Sequence, residues 1–215
     1  MNKQTLIGAV ACISEKMREN KQYLIELDAK FGDGDLGISM VSGFSAVCEF
    51  LDETPETDLG VILMKCATVF NKTSPSSLGT ILSFGFMGAA KYCKGQTKLT
   101  PAQTVEAMEK ALENMMTKAQ SKPGEKTILD ALVPGVEALS AWCYDNKNDE
   151  LVSDTNSSFA YQKAYEAAEA GMLSTKDMLS VHGRAAYYGE KVIGHIDGGA
   201  VVGKLIFEGL RDYYT

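Results

Sequence analysis

Apolar residues recur every three to four positions along most of this chain, which is the spacing of one face of an α-helix. The first such stretch covers residues 3–28 and has a break near Asn20. Leu6, Ile13 and Met17 lie on one face of it. No stretch alternates with the two-residue period of a β-strand, and no unit repeats at a fixed interval. The pattern therefore predicts an all-α protein.

The same rhythm predicts seven further helices joined by short polar connections. Thr100, Pro101 and Gln103 form a capping box with proline at the first helical position, which marks a helix start. Ser76 or Ser77 is suited to cap an earlier helix. We expect these helices at residues 37–51, 58–70, 76–92, 101–119, 128–144, 157–172 and 200–213. Together with the first stretch they predict a single domain of about eight helices over residues 1–215.

The net charge of −7 over 215 residues argues against nucleic acid or an anionic membrane surface as the main partner, because both require a basic surface. No run of 18 apolar residues occurs, so no membrane span is predicted. The five cysteines are widely spread and form no C-x-x-C pair. We expect them to be reduced, which is typical of a cytoplasmic protein.

Residues 28–37 hold three aspartates and three glycines. Carboxylates gathered on one loop repel one another unless a cation lies between them, and oxygen ligands suit Mg²⁺ or Ca²⁺. Glycine lets such a loop adopt φ > 0 and approach a ligand closely. A helix is predicted to begin at Gly37, so free backbone amides face the same place. These features indicate a site for a metal ion and a nucleotide phosphate around Asp28, Asp33 and Asp35.

Two other motifs match this stretch in part. A calcium loop counted from Asp33 requires glutamate at its twelfth position, where the chain has Phe44. The dinucleotide motif G-x-G-x-x-G fits Gly32, Gly34 and Gly37, but no strand is predicted before it. An acidic capped turn without a ligand and a Mg²⁺ site remain as the two interpretations of these residues.

Several polar residues elsewhere have more than one interpretation. Ser76 and Ser77 either cap a helix only or also donate to a phosphate. Arg184 is either a solvated charge or an anion ligand, since the glycine and alanine that flank it leave room for an anion to approach. Lys126 is interpreted as a solvated charge in a polar loop. For His195 the interpretations are a structural pairing with a nearby carboxylate and, less favoured, a catalytic role.

Four motifs span nearly the whole chain. They are Leu27-Asp28 with Gly32-Asp33-Gly34-Asp35-x-Gly37, Pro123-Gly124-Glu125-Lys126-Thr127-x-x-Asp130-Ala131-Leu132, Gly183-Arg184-Ala185-Ala186-Tyr187-x-Gly189-Glu190 and Gly194-His195-x-Asp197-x-Gly199-Ala200. Because these motifs occur in the same order as in one known family, the chain resembles the dihydroxyacetone kinase L subunit. The resemblance implies an eight-helix barrel with a nucleotide bound at one mouth.

The resemblance also implies a set of ligand-binding residues. Asp28, Asp33 and Asp35 correspond to three loop aspartates that hold two Mg²⁺ on the phosphates of ADP or ATP. No catalytic residue is expected in this chain, because the substrate of such a subunit is held by a partner. Contacts to the nucleotide are implied for Leu36, Gly37, Ile38, Ser39, Ser76, Ser77, Arg184, Asp197, Gly198 and Gly199, with Ala119 and Ile128 near the base.

In that family a separate L subunit keeps ADP bound as a coenzyme. A phosphohistidine on a phosphotransferase-system partner recharges the nucleotide, and the phosphoryl group passes to dihydroxyacetone held by the K subunit. At 215 residues the chain is expected to be such a subunit. Two alternatives stay open. One is an ATP-dependent variant acting on another small ketose such as erythrulose, and the other is a nucleotide-loaded regulatory module that binds a transcription factor.

The chain departs from the family pattern at three places around the expected site. Leu36 stands where histidine is usual, which removes a polar side chain but keeps the backbone amide. Gly198 stands where proline is usual. Residues 72–79 read Lys-Thr-Ser-Pro-Ser-Ser-Leu-Gly, where a glycine-glycine-alanine-serine-glycine run is commoner. We expect nucleotide binding to survive, since the three aspartates are intact.

Overall fold

The computed structural model describes residues 1–145 and 154–215. These residues form nine α-helices and two 3₁₀-helices and contain no β-strand, so the all-α prediction is confirmed. None of the described helices is both long and apolar enough to cross a membrane. The α-helices are α1 (Lys3–Glu19), α2 (Lys21–Asp28), α3 (Leu36–Glu53), α4 (Leu59–Thr73), α5 (Ser77–Tyr92), α6 (Pro101–Ala119), α7 (Leu129–Asp145), α8 (Asp154–Ser174) and α9 (Gly198–Tyr214). The 3₁₀-helices are Thr175–Asp177 and Arg184–Val192.

The first predicted stretch is two helices, because Asn20 ends α1. Both the backbone N–H and the side-chain Nδ2 of Asn20 donate to the carbonyl oxygen of Lys16, at 3.2 and 2.9 Å. The break predicted near Asn20 is confirmed, and it explains why the described residues form nine helices where eight were predicted. Another boundary also differs, since α8 begins at Asp154 and not at Ser157 or Ser158.

Two predicted helix starts carry capping contacts. Thr100 Oγ1 accepts the N–H of Gln103 at 3.2 Å, and Gln103 Oε1 accepts the N–H of Thr100 at 2.9 Å, which completes the capping box of α6. Ser76, and not Ser77, caps α5, because its Oγ accepts the N–H of Gly79 at 3.1 Å. Each cap satisfies an N–H that has no acceptor within its own helix.

Eight of the described α-helices form a closed ring. Each helix from α3 to α8 packs against the next one in the chain, α9 packs against α1, and α1 packs against α3. α2 packs against α3 beside the ring. An apolar cavity of about 220 Å³ lies inside, with walls from all eight ring helices. The ring is the eight-helix barrel that the family resemblance implies.

The direction of the helices places four helix starts at one end of the barrel. Helices that neighbour each other in such a ring alternate in direction. The starts of α3, α5, α7 and α9 therefore lie at the same end. Leu36, Ser77, Ile128 and Gly198, each at or next to one of these starts, line a second cavity there.

Candidate functional site

The loop between α2 and α3, residues 29–35, joins with Asp28 at the end of α2 to gather three carboxylates. We call residues 28–35 the carboxylate loop. The N–H of Asp35 donates to Asp28 Oδ2 at 3.0 Å, which folds the loop back on the end of α2. One carboxylate oxygen from each of Asp28, Asp33 and Asp35 lies within 4.8 Å of the others. The fold thus brings the three predicted metal ligands together.

Two glycines make the tight carboxylate loop possible. Gly34 has a φ of +75°, a conformation that residues with side chains rarely adopt. A Cβ atom on residue 32 would lie 2.1 Å from Asp28 Oδ1, so a side chain in place of Gly32 would displace that carboxylate. The alternation of aspartate and glycine in the sequence is therefore a geometric requirement of the cluster.

The three carboxylates repel one another, and the effect is visible at Asp35. Partial burial raises the pKa of Asp35, and the charges of Asp33 and Asp28 raise it further. Arg184 offsets part of the repulsion, because its Nη2 lies 2.7 Å from Asp33 Oδ2. A hard divalent cation fits these oxygen donors and would relieve the same repulsion. The residues present therefore fit Mg²⁺.

A cavity of about 460 Å³ opens beside the carboxylate loop. The first turns of α3, α5, α7 and α9 border it, and the first amides of a helix have no acceptor within that helix. Four positive helix-dipole ends favour an anion at this place. Leu78, Ile81 and Ile196 make part of the wall apolar. The cavity suits a ligand with an anionic end and an apolar remainder.

Asp197 is the N-cap residue of α9 and lines this cavity. Its Oδ2 accepts the N–H of Ala200 at 2.7 Å. Burial raises the pKa of Asp197 to about 6, although the amides of Ala200 and Gly199 and the ammonium of Lys126 oppose the rise. The carboxylate of Asp197 is therefore engaged in capping α9.

Most of the predicted site residues lie on the wall of this one cavity, although the sequence places them on five separate segments. The fold therefore joins the predicted metal ligands and most of the predicted nucleotide contacts into one site. These residues are Asp28, Asp33, Asp35, Leu36, Ser76, Ser77, Ile128, Arg184, Asp197, Gly198 and Gly199.

Four predicted residues do not line the cavity. Gly37 and Ser39 are buried in α3, while Ile38 is 51% exposed. The N–H of Ser39 donates to the carbonyl oxygen of Asp35 at 2.9 Å, so this amide is used inside the helix. Ala119 is the last residue of α6 and lies away from the cavity wall. Contacts from these four residues to a nucleotide remain predictions.

Lys126 differs most from its sequence-based interpretation. A solvated charge was expected, whereas the side chain is buried and its Nζ donates to the backbone carbonyls of Thr175, Val192 and His195. No pattern in the sequence marks this role. It depends on a left-handed backbone at Lys126, with φ of +60°, and on distant segments that meet there.

Among the described residues, the histidine that pairs with a carboxylate is His182, whereas His195 contacts an aromatic ring. His182 Nε2 lies 2.6 Å from Glu125 Oε2. The ring of His195 packs edge-on against Phe31, with ring centroids 5.2 Å apart, and Phe31 also packs against Tyr188 at 5.1 Å. Phe31 therefore joins the carboxylate loop to the segment that carries Arg184.

Comparison with known proteins assigns the chain to a family. A model described as the DAK2 domain matches residues 30–212. The PTS-dependent dihydroxyacetone kinase, ADP-binding subunit DhaL, of Lactococcus lactis is 32% identical over 209 residues, which are 97% of this chain and 96% of that protein. The PEP-dependent dihydroxyacetone kinase 1, ADP-binding subunit DhaL, of Listeria innocua is 31% identical over 197 residues, or 91% of this chain and 89% of that one.

A solved structure has the same fold. The crystal structure of the dihydroxyacetone kinase from C. freundii in complex with AMP-PNP and Mg²⁺ matches this chain with a TM-score of 0.72 and 24% identity. The match covers 96% of this chain and 33% of that one, so this chain spans about a third of that kinase. The likeness confirms the all-α fold. The chain belongs to the DAK2 family, together with the ADP-binding DhaL subunits of dihydroxyacetone kinases.

Proposed function

We propose that this chain binds ADP together with Mg²⁺ in the cavity beside the carboxylate loop. The observation that carries the proposal is the position of three carboxylates, within 4.8 Å of one another, at the edge of a cavity bordered by four helix starts. A cation site next to an anion site is what a magnesium nucleotide requires. The names of the ADP-binding relatives and the AMP-PNP and Mg²⁺ in the related crystal structure support the same ligand.

In this proposal Asp28, Asp33 and Asp35 hold two Mg²⁺ on the nucleotide phosphates. The ions would offset the negative charge that gathers on phosphate oxygens during phosphoryl transfer. Arg184 now pairs with Asp33, and it would turn to the phosphates once cations occupy the carboxylates. Backbone amides at the four helix starts complete the phosphate site, and Ile128 contributes to the surface near the base.

We further propose that the chain is the nucleotide subunit of a kinase for dihydroxyacetone or a similar small ketose. A phosphohistidine on a phosphotransferase-system partner would recharge ADP, and the phosphoryl group would pass to the ketose on the K subunit. The names of the PTS- and PEP-dependent relatives support this donor. Residues 1–215 would act as one nucleotide-binding domain. The five cysteines, all within the described residues and all free thiols, agree with a cytoplasmic location.

Titration calorimetry with ADP, in Mg²⁺ and in EDTA, tests the ligand. We expect binding in Mg²⁺ and a loss of at least about tenfold in affinity for Asp33→Asn, because a cation ligand is removed. Circular dichroism should be unchanged. Asp52→Asn, which removes an exposed charge from the far part of α3, is the matched control and should bind like the parent. Absence of ADP and ATP binding by the parent in Mg²⁺ would reject the proposal.

Reconstitution separates the possible donors and substrates. The chain is mixed with a K subunit, dihydroxyacetone or erythrulose, and either ATP or the phosphorylated partner, and ketose phosphate is measured. Turnover with the phosphorylated partner supports the proposal, and ADP retained through gentle purification, detected by mass spectrometry, would agree with it. Turnover with ATP alone would identify an ATP-dependent variant. No turnover with either donor, despite bound nucleotide, would favour the regulatory module.

A further inference from the structure

Lys126 lies in the connection between α6 and α7, and its side chain points inward with only 6% of the residue exposed. Its Nζ donates to the carbonyl oxygens of Thr175 at 2.6 Å, Val192 at 3.0 Å and His195 at 2.7 Å. An ammonium group has three N–H donors. All three are therefore used by backbone carbonyls, and Lys126 has no donor left for a phosphate although it borders the cavity.

The three carbonyls lie at the two ends of one segment. Residues 176–195, which we call the Arg184 segment, follow α8 and precede α9. Thr175 stands just before the segment, whereas Val192 and His195 stand at its end. The N–H of Gly194 donates to the carbonyl oxygen of Lys176 at 2.7 Å, which holds the two ends of the segment together. We call the place where these two ends meet the neck of the segment. Lys126 thus binds both sides of the neck at once.

The residue before Lys126 holds the same segment further along. The carbonyl oxygen of Glu125 accepts the N–H of Val181 at 3.3 Å, and its carboxylate lies 2.6 Å from His182 Nε2. Lys126 adopts a φ of +60°, which residues other than glycine adopt only when their surroundings hold them there. Two consecutive residues of one loop therefore fix the neck of the Arg184 segment and the part just before Arg184.

Among the described residues, Arg184 forms an ion pair with Asp33. Its side chain is 66% exposed, and its Nη2 reaches Asp33 Oδ2 at 2.7 Å. The position of this guanidinium over the carboxylate loop is thus set by the segment that carries it. We propose that Lys126 is a positioning residue, which anchors the neck of the Arg184 segment and so places Arg184 where it contacts the carboxylate loop and the nucleotide phosphates. The part that concerns phosphates rests on the proposed function.

Hydrogen exchange of the nucleotide-free protein tests the anchor by itself. Lys126→Met keeps most of the side-chain volume and removes all three donors. We expect amides of residues 176–195 to exchange at least about tenfold faster than in the parent, while α1, α3 and α4 are unchanged. Lys122→Met, which alters an exposed lysine of the same loop, is the control and should leave the exchange of the segment unchanged. Equal exchange in the parent and Lys126→Met would overturn the proposal.

A double-mutant cycle tests whether Lys126 acts through Arg184. Lys126→Met and Arg184→Met should each weaken ADP binding in Mg²⁺, and the double variant should bind within about twofold of the weaker single variant. Independent effects that multiply would overturn the proposal. If Lys126→Met does not fold, Lys126→Arg replaces it in the cycle, because a planar guanidinium does not reproduce the three-carbonyl geometry. If the parent does not bind ADP, the proposed function fails, and hydrogen exchange alone decides the anchor.

Discussion

Leu36 at the start of α3 packs against Gly198 at the start of α9, so that a side chain at residue 198 would have to displace Leu36. A Cβ atom there would lie 2.7 Å from Leu36 Cδ2. Leu36 is 8% exposed, so its position is set by packing. One apolar contact therefore joins two of the helix starts that border the cavity. It also links two of the places where the chain departs from the family pattern, which usually has histidine and proline there.

We expect Gly198→Ala to lower the free energy of unfolding by about 1–2 kcal/mol, because the added methyl group must displace Leu36. ADP binding in Mg²⁺ should weaken as well, since the amides of residues 198 and 199 would move with the start of α9. Urea unfolding measures the first effect, and titration calorimetry measures the second.

Combining Gly198→Ala with Leu36→Ala tests whether the loss of stability comes from the displacement of Leu36. Leu36→Ala by itself should cost about 2–5 kcal/mol, because it leaves a cavity. The same cavity makes room for a methyl group on residue 198. The penalty of Gly198→Ala should therefore nearly vanish in the Leu36→Ala background. An equal penalty in both backgrounds would show that the added methyl group does not act on Leu36.

The helices and the carboxylate cluster were predictable because they depend on residues that are close in sequence. The break at Asn20 and the capping box at Thr100 are set by contacts within four residues. Asp28, Asp33 and Asp35 lie on one short loop, so their approach follows from the loop itself. The resemblance to a known family added the closed ring, which periodicity alone does not predict.

The remaining features depend on residues that meet only after folding. The contact of Arg184 with Asp33 and the burial of Lys126 both require the segment before α9 to return over the end of the barrel. The first residue of α3 was also not predicted correctly, and it decides which backbone amides are free. The helix begins at Leu36, one residue earlier than predicted, and the amide of Ser39 therefore finds an acceptor within the helix.

Asp35→Asn should have different effects on the stability of the metal-free protein and on the stabilisation by ligand. The neutral amide removes repulsion from Asp33 and Asp28, so we expect a Tm in EDTA equal to that of the parent or up to about 3 °C higher. The rise in Tm on adding ADP and Mg²⁺ should be largely lost, because one oxygen ligand is weakened. Scanning calorimetry measures both, with Asp52→Asn as the control. A lower Tm in EDTA with an undiminished rise would contradict the expectation.

Thr100→Ala should affect stability alone. The change removes the cap of α6, which is worth about 1 kcal/mol and corresponds to a Tm lower by about 2–4 °C. Thr100 does not border the cavity at the four helix starts, so ADP affinity should be unchanged. Thr117→Ala, at an exposed position within the same helix, is the control and should not lower the Tm. Loss of ADP affinity in Thr100→Ala would show that the two ends of the barrel are coupled.

Asp197→Asn should change how stability depends on pH. Burial raises the pKa of Asp197 in the folded state to about 6, whereas an aspartate in an unfolded chain titrates near about 3.9. The folded state therefore binds this proton more tightly than the unfolded state. The stability that comes from Asp197 is present below about pH 4 and is lost as the pH rises through about 6.

Asparagine stays neutral over this range and caps a helix as well as aspartate does. Relative to the parent, the free energy of unfolding of Asp197→Asn should rise between about pH 4 and pH 6 and level off above that range. Urea unfolding of the ligand-free proteins at intervals of pH measures the difference, and Asp52→Asn should show no such rise. A difference that falls as the pH rises would mean that the Ala200 amide and the Lys126 ammonium favour the charged carboxylate more than burial disfavours it.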